Sequence, residues 1–242
     1  MKKTIVITGA SRGIGRAVAI ELAGKDTNIV INCAKNVDKL NEVKSLIEEK
    51  GSVCETFIGD MGNYNDVQKM FDMCFQRFGQ TDVLINNAGI SIVGLFQDMS
   101  RDDWRNICSS NIDSVFNCCH FAVKDMIKRH CGKIINISSV WGLYGASCEV
   151  AYSATKGAVN AFTRALAKEL APSQIQVNAI ACGAIDTDMN SHLSDDDKAA
   201  LSLEIPAGRF GTVQEVAQLV NSLINMNNYL TGQIITLDGG WI

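Results

Sequence analysis

Short runs of β-branched and apolar residues alternate along the chain with longer segments in which apolar residues recur every three or four positions. The short runs are typical of buried strands, and the longer segments predict amphipathic helices. This alternation indicates an α/β fold in which helices cover both faces of a parallel sheet. The seven predicted strands cover residues 3–8, 28–32, 53–58, 82–86, 133–138, 175–180 and 233–237. The predicted helices cover residues 16–23, 37–50, 65–78, 101–129, 150–171 and 213–225.

A glycine-rich segment, Gly9-Ala-Ser-Arg-Gly13-Ile-Gly15, joins the first predicted strand to the first predicted helix. A helix N-terminus offers unpaired amide donors and a positive dipole end, so a pyrophosphate can bind there when no side chain blocks it. By analogy with the dinucleotide fingerprint, Gly9 permits the tight turn, Gly13 the close approach of the backbone, and Gly15 the packing of helix on strand. Because the spacing differs from G-x-G-x-x-G, a glycine cluster that serves only as a turn stays an alternative.

Tyr152 and Lys156 lie four residues apart in a predicted helix, which places both side chains on one face. A lysine cation within about 4 to 6 Å of a phenol favours the phenolate and lowers the phenol's pKa from its usual value near 10. The pair could then exchange a proton with a substrate oxygen near neutral pH. The alternative is an amphipathic helix whose lysine merely reaches solvent.

Composition favours one cytoplasmic enzyme domain over residues 1–242, because the chain is 47% apolar and can bury a large core. A formal net charge of −4 gives no general attraction to nucleic acid or to an anionic membrane, and no apolar window approaches the length of a membrane span. The nine cysteines contain no C-x-x-C pair, so we expect reduced thiols. His120, His130 and His192 show no ligand spacing, so we expect no metal.

The chain resembles the short-chain dehydrogenase/reductase family over essentially its whole length. The motifs stand in family order: Thr8-Gly9-x-x-x-Gly13-x-Gly15, Asp60, Asn86-Asn-Ala-Gly89, Asn111, Ser139, Tyr152-x-x-x-Lys156 and Asp238-Gly-Gly240. The resemblance implies a single-domain, Rossmann-like doubly wound fold and the reduction of a carbonyl by a nicotinamide cofactor.

Four catalytic roles follow from the resemblance. Tyr152 would be the general acid/base, and Lys156 would depress its pKa and bind the nicotinamide ribose. Ser139 would hold the carbonyl oxygen, and Asn111 would support a water that links the lysine to solvent. Ser138 is the less suitable serine, because neighbours on a strand face opposite sides. The residues implied to bind the cofactor are Gly9, Ser11, Arg12, Gly13, Ile14, Gly15, Lys35, Asp60, Met61, Asn87, Ala88, Gly89, Tyr152, Lys156, Gly183, Ile185 and Thr187.

The segment after the second predicted strand favours NADP(H) over NAD(H). Enzymes that use NAD generally place an acidic residue there for the ribose 2′-hydroxyl, whereas no acid occurs here before Asp38. Arg12 and Lys35 could instead pair with a 2′-phosphate. The alternative is that both are solvated surface cations.

Within the family, residues 8–15, 152–157, 167–170 and 185–189 are similar to bacterial 3-oxoacyl-acyl-carrier-protein reductases of fatty acid synthesis. That resemblance implies a β-keto thioester carried on an acidic protein. Lys128, Arg129 and His130 form a candidate docking cluster, but Ser173 stands where such reductases often have arginine. Cys182 replaces the usual proline of the cofactor loop, which makes that loop less rigid.

Residues 139–150 are similar instead to reductases that act on a 5-aminopentanone group attached to a lysine of elongation factor P. Glu149 could meet the ammonium of such a substrate and Trp141 its alkyl chain, although Glu149 could equally cap the following helix. A third hypothesis is a dinucleotide-binding regulator without catalysis, which the intact set of catalytic residues opposes.

Two further expectations concern the outside of the molecule. Residues 190–206 are predicted to form a lid that closes over the substrate. The alternative is an ordinary surface loop. The resemblance also implies a homotetramer, with contacts through the long helices that contain Asn111 and Tyr152.

Overall fold

Seven parallel strands form one sheet in the order β3-β2-β1-β4-β5-β6-β7. The computed structural model describes residues 2–190 and 193–242. The strands are β1 Lys3–Ile7, β2 Thr27–Cys33, β3 Val53–Ile58, β4 Val83–Asn86, β5 Gly132–Ser139, β6 Ile175–Cys182 and β7 Ile234–Leu237. Each predicted strand is therefore confirmed to within a few residues at its ends.

Nine α-helices lie in the part of the chain that the structure describes. They are α1 Gly13–Glu21, α2 Val37–Glu49, α3 Tyr64–Phe78, α4 Arg101–Cys108, α5 Ser114–Arg129, α6 Trp141–Tyr144, α7 Val150–Leu170, α8 Asp195–Glu204 and α9 Val213–Asn225. None of the described helices is both long enough and apolar enough to cross a membrane. All nine cysteines carry free thiols.

Two hydrophobic cores cover the two faces of the sheet. On one face, Val18 of α1, Leu40 of α2 and Val220 of α9 belong to a single buried cluster with strand residues. On the other face, a second cluster joins residues of α3, α5 and α7 to the strands. Because successive strand residues face opposite sides, Ile5 and Val6 enter different cores. The predicted doubly wound, Rossmann-like fold is confirmed.

The helical region predicted at residues 101–129 is interrupted. A π-helical turn, Ser109–Asp113, separates α4 from α5. Asn111 lies in this turn, and its side chain is buried and bonded to the backbone of Ile90. One widened turn inside a helix often marks a functional position. Apolar periodicity continues through such a turn, so the sequence pattern did not reveal it.

The functional segments meet at the carboxyl edge of the sheet. The strand order reverses between β1 and β4, and in doubly wound sheets ligands bind outside the strand ends at such a switch point. The glycine turn follows β1, residues 86–89 end β4 and follow it, Ser139 ends β5, and the segment beginning at Gly183 follows β6. The topology therefore places all four segments around one crevice.

Candidate active site

Tyr152, Lys156 and Ser139 lie together at this edge. The Nζ atom of Lys156 lies 5.6 Å from the centre of the Tyr152 ring and donates a hydrogen bond to the Ile137 carbonyl at 2.8 Å. Ser139 lies close enough to Tyr152 to lower the pKa of its phenol. Ser138 instead donates to Asn160 Oδ1 at 2.7 Å, deeper under α7. The alternation of β5 therefore presents Ser139 to the phenol, as predicted from the strand pattern.

Burial dominates the acid–base properties of this group. It raises the pKa of Tyr152 well above its usual range, while the hydrogen bond from Ser139 opposes that rise and the charges of Cys182 and Glu149 add to it. Burial also lowers the pKa of Lys156 to about 8, with a smaller opposing contribution from Cys182. The expectation that Lys156 lowers the pKa of Tyr152 is therefore wrong for this structure. Desolvation is the largest influence on the pKa of the phenol, and the ammonium of Lys156 is bonded to the Ile137 carbonyl.

Asn111 anchors the end of β4 to the catalytic helix. Its Oδ1 accepts from the Ile90 N–H at 2.8 Å, and its Nδ2 donates to the Ile90 carbonyl at 2.9 Å and to Thr155 Oγ1 at 3.0 Å. A Cβ placed on Gly89 would lie 3.1 Å from Asn111 Oδ1 and 3.6 Å from Lys156 Nζ. Asn111 thus lies beside the predicted catalytic lysine. Because Gly89 has no side chain, the space between them stays open.

The glycine turn fits the backbone path that a dinucleotide needs. Gly9 has φ of +64°, and a Cβ there would lie 2.9 Å from the Ala88 Cα, so a larger residue would be both strained and obstructed. A Cβ on Gly15 would lie 2.4 Å from the Gly9 carbonyl oxygen. The first turn of α1 holds no acidic side chain, and Arg12 at its N-cap makes no side-chain capping bond. The amide donors of this helix end are thus available to an anion.

Two polar residues that were not among the predicted site residues, Thr8 and Asn32, fix the turn in place together with the predicted Asn87. Thr8 Oγ1 accepts from the N–H groups of Asn87 and Ala88, both at 3.0 Å. Asn87 Nδ2 donates to the carbonyls of Thr8 and Gly9, both at 2.9 Å. Asn32 is buried near the end of β2 and accepts from the Gly9 N–H at 3.4 Å. The signal available in the sequence was a polar residue near the end of an otherwise apolar strand.

The remaining predicted cofactor residues surround the same crevice. Asp60 and Met61 follow β3, and the Asp60 carboxylate accepts from the Gly62 N–H at 2.9 Å. Across the turn, a Cβ on Gly13 would lie 3.7 Å from Thr187 Cγ2. The other predicted members are Ser11 and Ile14, which lie at the glycine turn, and Gly183 and Ile185, which follow β6.

The two predicted phosphate cations differ in their surroundings. Arg12 is largely exposed and lies 3.4 Å from an Asp188 carboxylate oxygen. Lys35 is exposed after β2, next to Asn36, which caps α2 by accepting from the Lys39 N–H at 3.3 Å. A phosphate at this corner would meet no carboxylate between β2 and Asp38.

Glu149 does not act as a helix cap in this structure. It occupies the N-cap position of α7, yet its side chain makes no capping bond. Instead its carboxylate accepts a short hydrogen bond from the Ser91 hydroxyl, and its charge acts on the phenol of Tyr152. Glu149 therefore stands at the start of α7, as the capping alternative requires, but its carboxylate is bonded to Ser91 and not to the helix backbone.

Apolar side chains form the rest of the substrate side. Trp141 packs with Ile90, Ile92 and Met99 against a buried cluster that contains Tyr152. The Trp141 N–H donates to Ser139 Oγ at 3.1 Å. Helix α6, which carries Trp141, was not predicted, because a four-residue helix is too short to show apolar periodicity.

The basic cluster at Lys128, Arg129 and His130 lies at the opposite edge of the sheet. Arg129 donates to Asp82 at 2.8 Å and to the Thr81 carbonyl at 2.6 Å, just before β4 begins. The eight residues of β5 separate this edge from Ser139 by roughly 23 Å at the usual rise of a strand. The cluster therefore does not border the substrate side of its own chain.

Among residues 2–190 and 193–242, no group of three or more His, Cys, Asp or Glu side chains is placed to bind a metal ion. His120 lies among aromatic rings, 5.4 Å from the Phe121 ring centre, and His130 ends α5 in a left-handed conformation. His192 lies outside the described residues.

The fold and site define a class of dinucleotide-dependent oxidoreductases, with a phosphate-binding turn at the switch point and a Ser-Tyr-Lys group beside it. The profile of the short chain dehydrogenase family matches residues 3–198, and the chain belongs to this family. It is an NAD(P)-dependent oxidoreductase that acts on a carbonyl/hydroxyl pair.

Relatives in two bacterial genera cover nearly the whole chain. The 3-oxoacyl-[acyl-carrier-protein] reductase FabG of Staphylococcus aureus is 38% identical over 241 residues, which are 99% of this chain and 98% of the relative. The FabG of Chlamydia muridarum is 35% identical over 99% of this chain and 97% of the relative. Among solved structures, YwfH, described as an NADPH dependent reductase involved in bacilysin biosynthesis, superposes with a TM-score of 0.93 at 27% identity, covering 100% of this chain and 99% of that one.

Proposed function

We propose that the protein is an NADPH-dependent reductase of 3-oxoacyl-[acyl-carrier-protein], which it converts to the 3-hydroxyacyl form in fatty acid synthesis. The observation that carries the carbonyl chemistry is the grouping of three side chains at the carboxyl edge of the sheet. Ser139 ends β5, and Tyr152 and Lys156 lie one turn apart on α7, with Lys156 Nζ 5.6 Å from the centre of the Tyr152 ring. The relatives named 3-oxoacyl-[acyl-carrier-protein] reductase support the substrate, since they are 35% and 38% identical over nearly full length.

Each catalytic side chain has a distinct task in this proposal. The bound nicotinamide supplies a hydride to the carbonyl carbon. Tyr152 donates its phenolic proton to the carbonyl oxygen as negative charge develops there, and Ser139 stabilises that charge by donating a hydrogen bond. Lys156 would bind the nicotinamide ribose. Asn111, bonded to Ile90 and Thr155, would support a water that links the lysine to solvent. A raised pKa keeps Tyr152 protonated at neutral pH, which suits a proton donor in reduction.

NADPH is the proposed cofactor because the segment between β2 and Asp38 contains no acidic residue and two exposed cations are available for a phosphate. Arg12 and Lys35 are these cations and can pair with a 2′-phosphate. The solved relative described as an NADPH dependent reductase supports the same preference. Measured kcat/KM values should favour NADPH over NADH at least tenfold, and a double variant Arg12→Gln, Lys35→Gln should lose that preference while its kcat/KM with NADH changes little. A wild-type preference for NADH would overturn this part of the proposal.

The substrate is tested with the intact protein and NADPH. We expect oxidation of NADPH in the presence of acetoacetyl-acyl-carrier-protein, with a kcat/KM at least tenfold above that for the same acyl group on a small thiol. An active enzyme that shows no such gain would overturn the carrier-linked substrate and leave the carbonyl reductase activity standing. Wild-type protein that binds NADPH and reduces no ketone or thioester would overturn the reductase itself.

A second candidate substrate is the 5-aminopentanone group on elongation factor P, because a carboxylate lies beside the catalytic phenol. Glu149 is half-buried, bonded to Ser91 and close enough to act on Tyr152, so it could pair with a substrate ammonium. The test compares a dimethylamino ketone with the isosteric ketone in which carbon replaces nitrogen. A preference of at least tenfold for the amine, lost in Glu149→Gln, would favour this candidate, and equal rates would exclude it.

Three further proposals concern the environment of the reaction. The protein would work in the cytoplasm as a homotetramer, since Trp104, Phe116 and Ile127 on α4 and α5 expose apolar surface that a second copy could cover.

Within the predicted lid at 190–206, residues 191 and 192 lie outside the described residues. In its described part, α8 buries no side chain and Leu203 is 87% exposed, which supports a segment that closes over bound substrate.

A further inference from the structure

The C-terminal end of the chain folds back onto the substrate side of the site. The indole ring of Trp241 packs edge-on against that of Trp141, with ring centres 4.9 Å apart and an interplanar angle of 62°. Trp141 itself packs against the Tyr152 cluster and donates its N–H to Ser139 Oγ. The Trp141 side chain thus separates Trp241 from the buried cluster that contains Tyr152.

Specific contacts hold the C-terminal residues in this position. The Asp238 carboxylate accepts from the N–H groups of Gly240 and Ile242, each at 3.0 Å. Gly239 has φ of +69°, and a Cβ there would lie 2.9 Å from Ile205 Cγ2, so this turn requires glycine. The Ala207 N–H also donates to the Gly239 carbonyl at 3.1 Å. These hydrogen bonds fix the backbone on both sides of Trp241.

The two indoles continue an apolar surface. Both rings are partly exposed, so neither is fully covered by the protein. The neighbouring side chains that pack on the Tyr152 cluster, Ile90, Ile92 and Met99, are apolar as well. Partly exposed aromatic surface that continues an apolar lining next to catalytic polar groups is typical of a site for the hydrocarbon part of a ligand.

We propose that Trp241 is a specificity-determining residue that forms, with Trp141, the wall against which the alkyl chain of the carbonyl substrate packs. The inference rests on the proposed reductase activity and deepens it, because it concerns which chain lengths the same site accepts. An indole removed from this wall exposes long alkyl chains to water and leaves short ones unaffected.

The test measures kcat/KM for a series of 3-oxoacyl thioesters of a small thiol, from acetoacetyl to 3-oxooctanoyl, with NADPH saturating. For Trp241→Ala we expect a loss of at least tenfold with the longest chain, carried by KM, and less than threefold with acetoacetyl, because each buried methylene contributes to discrimination. Trp241→Phe should recover most of the loss, and it keeps the test decisive should the alanine variant fail to fold. Tyr229→Ala, which changes an aromatic residue that is 97% exposed, is the matched control and should follow the wild type at every length.

Two results would overturn the inference alone. One is an active wild type whose Trp241→Ala variant loses the same factor at every chain length, which would indicate a purely structural role. The other is a Trp241→Ala variant with no loss at any length. A wild type inactive on the whole series would instead overturn the proposed function, and the inference with it.

Discussion

The side chain of Asn111 holds both backbone groups of Ile90, accepting from its N–H at 2.8 Å and donating to its carbonyl at 2.9 Å. The same amide reaches Thr155, whose hydroxyl donates to the Tyr152 carbonyl at 2.9 Å. One buried amide therefore connects the end of β4, the π-helical turn and the catalytic helix.

Replacing Asn111 with alanine should destabilise the protein and slow it. The change leaves the half-buried N–H and carbonyl of Ile90 without their partner, and a fully buried group of this kind costs about 1–3 kcal/mol. We expect the free energy of unfolding in urea to fall by about 2–4 kcal/mol. Thr155→Val, which leaves the bonds between Asn111 and Ile90 intact, is the control and should cost less. If Asn111→Ala lowers the free energy of unfolding by less than about 1 kcal/mol, the Asn111 amide does not hold these elements together.

Glu149→Gln should change the pH dependence of the reverse reaction. The Glu149 carboxylate helps burial to raise the pKa of Tyr152. Removing its charge lowers that pKa, so more phenolate is available to take a proton from an alcohol at any pH below it. With NADP and an uncharged alcohol at pH 8, we expect the variant to oxidise the alcohol faster than the wild type.

The control for this experiment is Glu169→Gln, an exposed acid on the same helix. Its rates should match the wild type across the pH range. Oxidation by Glu149→Gln that is unchanged or slower at pH 8, in a variant that still binds cofactor normally, would show that this carboxylate does not act on the phenol.

Lys156 should give cofactor binding a pH dependence within the physiological range. Burial lowers the pKa of its ammonium to about 8, so the cation is lost as pH rises through that value. Because NADPH is a polyanion, its dissociation constant should rise at least threefold between pH 7 and pH 9. In Lys156→Met, NADPH should bind more weakly at pH 7, and its dissociation constant should not change between pH 7 and pH 9. An equal rise in that variant would assign the titration to another group.

The sheet and the strand ends were predictable from the sequence because apolar periodicity and turn glycines are local signals. The glycine turn before α1 and the spacing of Tyr152 and Lys156 needed no knowledge of distant contacts. The choice of Ser139 over Ser138 also followed from strand alternation. These features locate the site without any tertiary information.

Three features depended on contacts between distant residues, and the sequence did not reveal them. The π-helical turn exists because Asn111 bonds to Ile90, twenty-one positions away. The carboxylate of Glu149 is bonded to Ser91 and not to its own helix. Trp241 contacts Trp141 because the chain after the last strand lies beside the active site. The pKa of Tyr152 was misjudged because its largest influence is burial, which spacing does not show.

The most direct measurement of the central claim compares kcat of wild type and Tyr152→Phe for the reduction of an acetoacetyl thioester by NADPH. The phenylalanine ring keeps the packing and removes only the proton donor, so kcat should fall at least 10²-fold while the dissociation constant of NADPH stays within threefold. A variant that folds, binds NADPH and keeps kcat within tenfold of wild type would contradict the assignment of Tyr152 as the proton donor.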